Sequence, residues 1–129
     1  MNPKIKKRVV LSTVIFVIIC LYTFTAEAQH TYISTDGAEV TVTDKSRIIS
    51  IGSAVTETIF ALEADKNLIA VDESSTYPQA SSALPKVSFT RNLSAEGILS
   101  LSPTLILASG SAGPETSIRQ IRSTGVPML

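Results

Sequence analysis

Two segments of the sequence carry side chains suited to holding a ligand. The first is Ser74-Ser75-Thr76-Tyr77-Pro78, which follows the apolar run from Leu68 to Val71; the second is Phe89-Thr90-Arg91-Asn92. Tyr77 offers a flat ring and a phenolate-capable oxygen, and such an oxygen can ligate ferric iron, haem iron included. Pro78 stiffens the backbone beside it. The competing role for Tyr77 is a partly buried structural tyrosine, and the residues by themselves leave both open. Arg91 can either pair with a ligand carboxylate or remain solvated. Asp72 and Glu73 could form a metal-binding carboxylate pair, although polar residues also mark where a loop simply begins. Glu96 complements a helix N-terminus or presents an exposed carboxylate to a basic partner. Glu57, inside a helical stretch, reads as a solvated helix residue.

Catalytic groupings are thin. The sequence holds one histidine, His30, and one cysteine, Cys20. A Ser-His-Asp or Cys-His arrangement would have to be built around His30, which is expected in a disordered tail. A hydrolase is therefore remote. One cysteine excludes a disulfide framework and a cysteine-rich zinc site. Gly52-Ser53 lacks the glycine spacing of a phosphate-binding loop and reads as a tight turn into a helix.

The elements that must position these residues follow from hydrophobic pattern and punctuation. Tyr32 to Thr43 reads as a small hairpin around a two-residue Asp36-Gly37 turn. Ile48 to Ile51 is a short apolar strand ended by Gly52. Val55, Ile59 and Leu62 then fall on one helical face, with Ser53 as its N-cap. Leu68 to Val71 gives a second strand, so strand, helix and strand form a βαβ unit with parallel strands. The pattern repeats loosely. Ser94 caps a short helix with Ile98, Leu99 and Leu101, stopped by Pro103, and Thr104 to Ala108 reads as a buried strand. Pro114 opens another helix, Ile118 and Ile121 face the core, and Gly125 closes it. Val126 to Leu129 begins one more strand without finishing it, which predicts a truncated chain. The fold class expected is α/β: a mostly parallel sheet flanked by helices, with a small N-terminal hairpin.

The chain has 129 residues, 44% hydrophobic and 17% charged, with eleven basic and eleven acidic side chains. That length suits one modest domain. Four of the basic residues (Lys4, Lys6, Lys7, Arg8) precede the apolar stretch Val9 to Tyr22, and Ala26-Glu27-Ala28 supplies small residues where signal peptidase reads. This grammar predicts a secretory signal peptide cut after Ala28. The rival is an uncleaved membrane anchor, for which about 20 apolar residues are needed. The small residues expected before a lipidated cysteine are missing ahead of Cys20. Residues 29–129 keep seven basic and ten acidic side chains, a net charge of −3. That balance suits an exported soluble protein and argues against nucleic acid or a polyanion as partner. The expected organisation is 1–28 signal peptide, 29–46 extension and hairpin, and 47–129 α/β lobe.

Four ordered segments resemble the periplasmic haem-binding proteins of bacterial haem ABC importers, within the wider cobalamin and siderophore binding-protein family. They are RIISIGSAVTETIFAL (Arg47 to Leu62), VDESSTYP (Val71 to Pro78), LPKVSFTRNLSAEGILSLSPTLILAS (Leu84 to Ser109) and the GP…GVP ending. The likeness runs from about Glu39 to Leu129, and Arg91 to Ser109 is its most specific part. The resemblance implies the N-terminal lobe of a two-lobed, non-enzymatic capture protein in the periplasm that delivers hemin to a membrane permease. It places Tyr77 as axial ligand to haem iron, Arg91 at the propionates, Glu96 as the carboxylate docking onto the permease, and Glu57 in a structural role. Family members carry a connecting helix and a second lobe that this sequence lacks. A binder of another iron chelate or of cobalamin is the nearest alternative; a membrane-anchored interaction module without a small ligand is the alternative of another class.

Overall fold

The structure, a computed structural model, describes residues 29–129. The signal-peptide expectation, Cys20 included, lies outside the described residues. Among the described residues, five strands and three α-helices follow one another: β1 His30–Ile33, β2 Glu39–Val42, β3 Ile48–Ile51, α1 Ser53–Ala61, β4 Leu68–Val71, α2 Ala95–Leu99, β5 Leu105–Ala108 and α3 Glu115–Ser123. Short 3-10 turns at Asp65–Asn67 and Gln79–Ala83 complete the order.

β3 is the centre of a parallel sheet ordered β4-β3-β5, and all four of its residues are buried. A strand covered on both faces carries few exposed polar positions, so isoleucine fills three of its four places, and the one polar residue, Ser50, is buried with its hydroxyl bonded to Thr56. Parallel partners extend the sheet at both edges. Lys86 bridges Val71, with Val87 donating its N–H to the Val71 carbonyl at 3.0 Å, and Met128 bridges Ile106. The strand expected at Val126 to Leu129 is thus present as a paired edge beside β5.

The two faces bury separate cores. Ile49, Ile51, Ala70 and Ile106 pack with Ile98 of α2 and Ile118 and Ile121 of α3. Ile48, Leu68, Val71 and Leu105 pack with Ile59 of α1 and with Val42 of the hairpin. Successive residues of a strand point to opposite faces, so Ile48 and Ile49 enter different cores. The expected fold class is the observed one: a parallel sheet between helices, with an antiparallel β1–β2 hairpin beside it.

Several local expectations are met. Ser94 caps α2, its Oγ accepting from the Gly97 N–H at 3.1 Å. Pro114 precedes α3, and Gly125, at φ 82°, donates to the Arg122 carbonyl just past its end. Others are corrected. Gly52, not Ser53, is the N-cap of α1, with φ 110° and no side-chain cap. Leu62 is 72% exposed because the helix ends at Ala61; buried Thr56 takes an inner position instead. The hairpin turn has three residues between Ser34 and Ala38, which are joined by a 2.9 Å backbone bond, and Gly37 occupies the left-handed position at φ 82°. That is a turn followed by a glycine bulge, the next commonest solution after the two-residue turn. His30 is not in a disordered tail but pairs opposite Val42 in β1. Among the described residues, no helix is long and apolar enough to cross a membrane.

Candidate ligand-binding site

A parallel sheet delivers all its carboxyl ends to one edge. In an open α/β sheet that edge is where ligands bind. Here it receives Gly52 after β3, the loop Asp72–Pro78 after β4, the loop Ser88–Leu93 after the Lys86 bridge, and Ser109–Gly113 after β5. The Asp72–Pro78 and Ser88–Leu93 loops leave adjacent rows of the sheet. They are joined by Glu73 N–H to the Ser88 carbonyl at 3.3 Å and by Thr90 Oγ1 to Asp72 Oδ2 at 2.6 Å. The Ser88–Leu93 loop is tied in turn to the β5 loop, with Gly113 N–H on the Thr90 carbonyl at 2.9 Å and Leu93 N–H on the Gly113 carbonyl at 2.8 Å.

Tyr77 stands on this edge with 67% of its surface exposed, and Phe89 with 62%. Arg91 is exposed on the same loop as Phe89. Neither the Tyr77 hydroxyl nor the Arg91 guanidinium makes a hydrogen bond among the described residues, so both functional groups stand free toward solvent. The structure thus puts Tyr77 and Arg91 on two connected loops, with no hydrogen bond between their side chains. Tyr77 is not the partly buried structural residue that was its competing role. Phe89 was not singled out in the sequence; the signal was its place beside Arg91, in a loop where a large apolar side chain has no core to enter.

What holds the edge is buried beneath it. Asp72 is fully buried. Its carboxylate accepts from Ser74 Oγ, Ser75 Oγ and Thr90 Oγ1. Burial pushes this carboxyl up. The hydroxyl bonds from Ser74, Ser75 and Thr90, with the Gly52 N–H, favour the charged form more strongly and bring it below its ordinary value. Ser75 Oγ also meets Thr56 Oγ1 at 2.7 Å, and Thr56 meets Ser50 Oγ at 2.7 Å. Each hydroxyl has one proton, so with Ser75 donating to Asp72 the chain runs Ser50 to Thr56 to Ser75 to carboxylate. It crosses from β3 through α1 into the loop that carries Tyr77. Lys86 Nζ donates to the Ser75 carbonyl of that same loop and to the Ser81 carbonyl of the 3-10 turn that follows it. The Asp72–Glu73 metal pair does not form, because the Asp72 oxygens are taken up by hydroxyls and Glu73 is exposed. No group of three or more His, Cys, Asp or Glu side chains able to hold a metal occurs among the described residues.

Glu96 is exposed in the first turn of α2, on the helix that follows the Arg91 loop. Glu57 is exposed on α1, which packs on the opposite face of the sheet. His30 is exposed in the hairpin, with its ring 6.3 Å from that of Tyr32.

Comparison with known proteins identifies the class of this α/β fold. The profile of the family described as Periplasmic binding protein matches residues 48–129, and the chain belongs to that family. It is 34% identical over 82 residues to the Vitamin B12-binding protein of Vibrio parahaemolyticus, covering 64% of this chain and 30% of that protein. It is similar to the apo periplasmic heme-binding protein RhuT from Roseiflexus sp. RS-1 (TM-score 0.63, 45% identity, 66% of this chain and 33% of that one). It is also similar to the periplasmic heme-binding protein HutB of Vibrio cholerae (TM-score 0.59, 46% identity, 66% and 33%). The chain spans about a third of the length of these relatives.

Proposed function

We propose that this chain is a haem-capturing lobe that works in the periplasm with an ABC importer, and that it performs no catalysis. The observation that carries the reading is the braced rim, where Tyr77, Phe89 and Arg91 stand exposed on interlocked loops. Haem is a large apolar disc with a ferric centre and two propionates. An aromatic surface, an oxygen donor and a guanidinium match those three features. Tyr77 is assigned as axial ligand and Arg91 as propionate contact.

The names of the relatives support haem over its nearest rival. Heme-binding structures match at between 33% and 47% identity, the Vitamin B12-binding protein at 34%. Cobalamin stays the second reading because that relative matches much the same stretch of chain. Titrating the purified full chain with hemin and, separately, with cyanocobalamin separates the two. Saturable Soret change with hemin and no spectral change with cyanocobalamin is expected; the reverse pattern makes this a corrinoid binder.

Glu96 is assigned to docking on the permease, where an exposed carboxylate sets orientation and association rate more than affinity. Glu96→Lys is expected to abolish uptake while leaving hemin binding intact, and unchanged uptake would remove the assignment. Export is assigned to residues 1–28 with cleavage after Ala28, residues 29–46 form an extension with the hairpin, and 47–129 form the binding lobe. N-terminal sequencing of exported protein should begin at Gln29. A start at Met1 would point to the anchored alternative.

A further inference from the structure

We propose that Asp72 is a positioning residue, whose buried carboxylate clamps the Tyr77 loop and the Phe89–Arg91 loop into a single ligand-facing rim. Its burial is costly. A carboxylate taken out of water needs compensation, usually from a cation or a metal. Asp72 has neither: among the described residues the one ion pair is Asp36–Arg122, between the hairpin and α3. Neutral hydroxyls do the work instead, and they come from both loops. Ser74 and Ser75 belong to the segment leading to Tyr77, and Thr90 lies between Phe89 and Arg91.

The clamp is anchored on both sides. Through Ser75 it reaches Thr56 of α1 and Ser50 of β3 at 2.7 Å each. Through Thr90, whose carbonyl accepts from the Gly113 N–H, it reaches the loop after β5. The Asp72 N–H itself binds the Ser50 carbonyl at 3.0 Å. A loop that needed only to close a turn has no use for a buried charge. One that must hold two exposed groups in fixed relation does, since a preorganised rim loses less entropy when it binds.

This inference rests on the haem reading for what the rim is for, but not for whether the clamp exists. The test uses two variants of the full chain. Thr90→Val keeps the shape and removes the hydroxyl; Thr90→Ser keeps the hydroxyl. The first measurement is the rate of tryptic cleavage at Arg91–Asn92, which reports how firmly the Arg91 loop is held. The second is the hemin dissociation constant. Thr90→Val is expected to speed cleavage and to weaken hemin about tenfold, the size of one hydrogen bond to a charged group, with unchanged far-UV circular dichroism. Thr90→Ser should match the parent in both. Cleavage by Thr90→Val at the parental rate overturns the clamp, as does a Thr90→Ser variant as loose as Thr90→Val. Faster cleavage and parental hemin affinity would also overturn it as a positioning device for the ligand. If the parent chain itself fails to take hemin while Thr90→Val alone is cleaved faster, the clamp stands and the haem reading falls.

Discussion

The loop after β4 and the β1–β2 hairpin are both polar surface segments, yet they are held in opposite ways. The Tyr77 loop is fastened from below by a fully buried carboxylate and a file of hydroxyls. The hairpin loop is fastened from outside, by an Asp36–Arg122 pair whose side chains are themselves partly exposed. Buried polar bonds are costly to leave unmade, whereas exposed ion pairs are screened and contribute little. Rigid geometry is therefore concentrated at the carboxyl edge of the sheet, where a ligand would be met. The hairpin serves mainly to bring Val42 over one core.

Breaking the buried side should have the largest effect. Asp72→Ala strands three hydroxyls without their acceptor and is expected to destabilise by about 3 kcal/mol, measurable by urea denaturation. A second break is Gly52→Ala. An added Cβ would stand 3.0 Å from the Ser109 Cβ, at a φ of 110° that side chains rarely adopt. A loss of about 2 kcal/mol is expected from the strain, read by the same melts. A loss indistinguishable from zero in either variant would remove the contrast. The exposed side gives the smallest effect: Asp36→Ala should leave the urea midpoint where it was, and a clear loss would mean that the hairpin is held as firmly as the rim.

Acid sharpens the comparison further. The Asp72 carboxyl lies below its ordinary value of 3.8, with burial opposing and the hydroxyl bonds prevailing. A depressed carboxyl stabilises the fold above its unfolded pKa, and that contribution is lost as pH falls through the folded value. The parent chain should therefore lose stability on the acid side of 3.8, and Asp72→Asn should lose less over the same window. Equal acid sensitivity in the two would show that Asp72 is not the titrating support of the rim.

The framework was legible in the sequence because it rests on local chemistry. The isoleucine-rich Ile48–Ile51 run bounded by Gly52 fits a strand covered on both faces, and Ser94, Pro114 and Gly125 act where their backbone preferences apply. What stayed hidden depends on tertiary contact. Reading α1 by apolar period selected Leu62 and passed over Thr56, which is buried because a hydroxyl was required opposite Ser50 and Ser75. Gly52 took the cap from Ser53 through a backbone angle that composition does not show. Asp72 read as a loop residue or half of a metal pair because its partner Thr90 is eighteen residues away. Phe89, two residues before Arg91, was passed over because only the closed loops show that it has no core to enter.

The central claim is that the braced loop presents an iron ligand, and the most direct measurement is a hemin titration of the full chain beside Tyr77→Phe, followed through the Soret band. Saturable binding by the parent is expected, with the iron-coordination signature lost and affinity reduced in the variant, which keeps the ring but not the oxygen. An identical spectrum and affinity in Tyr77→Phe would contradict it.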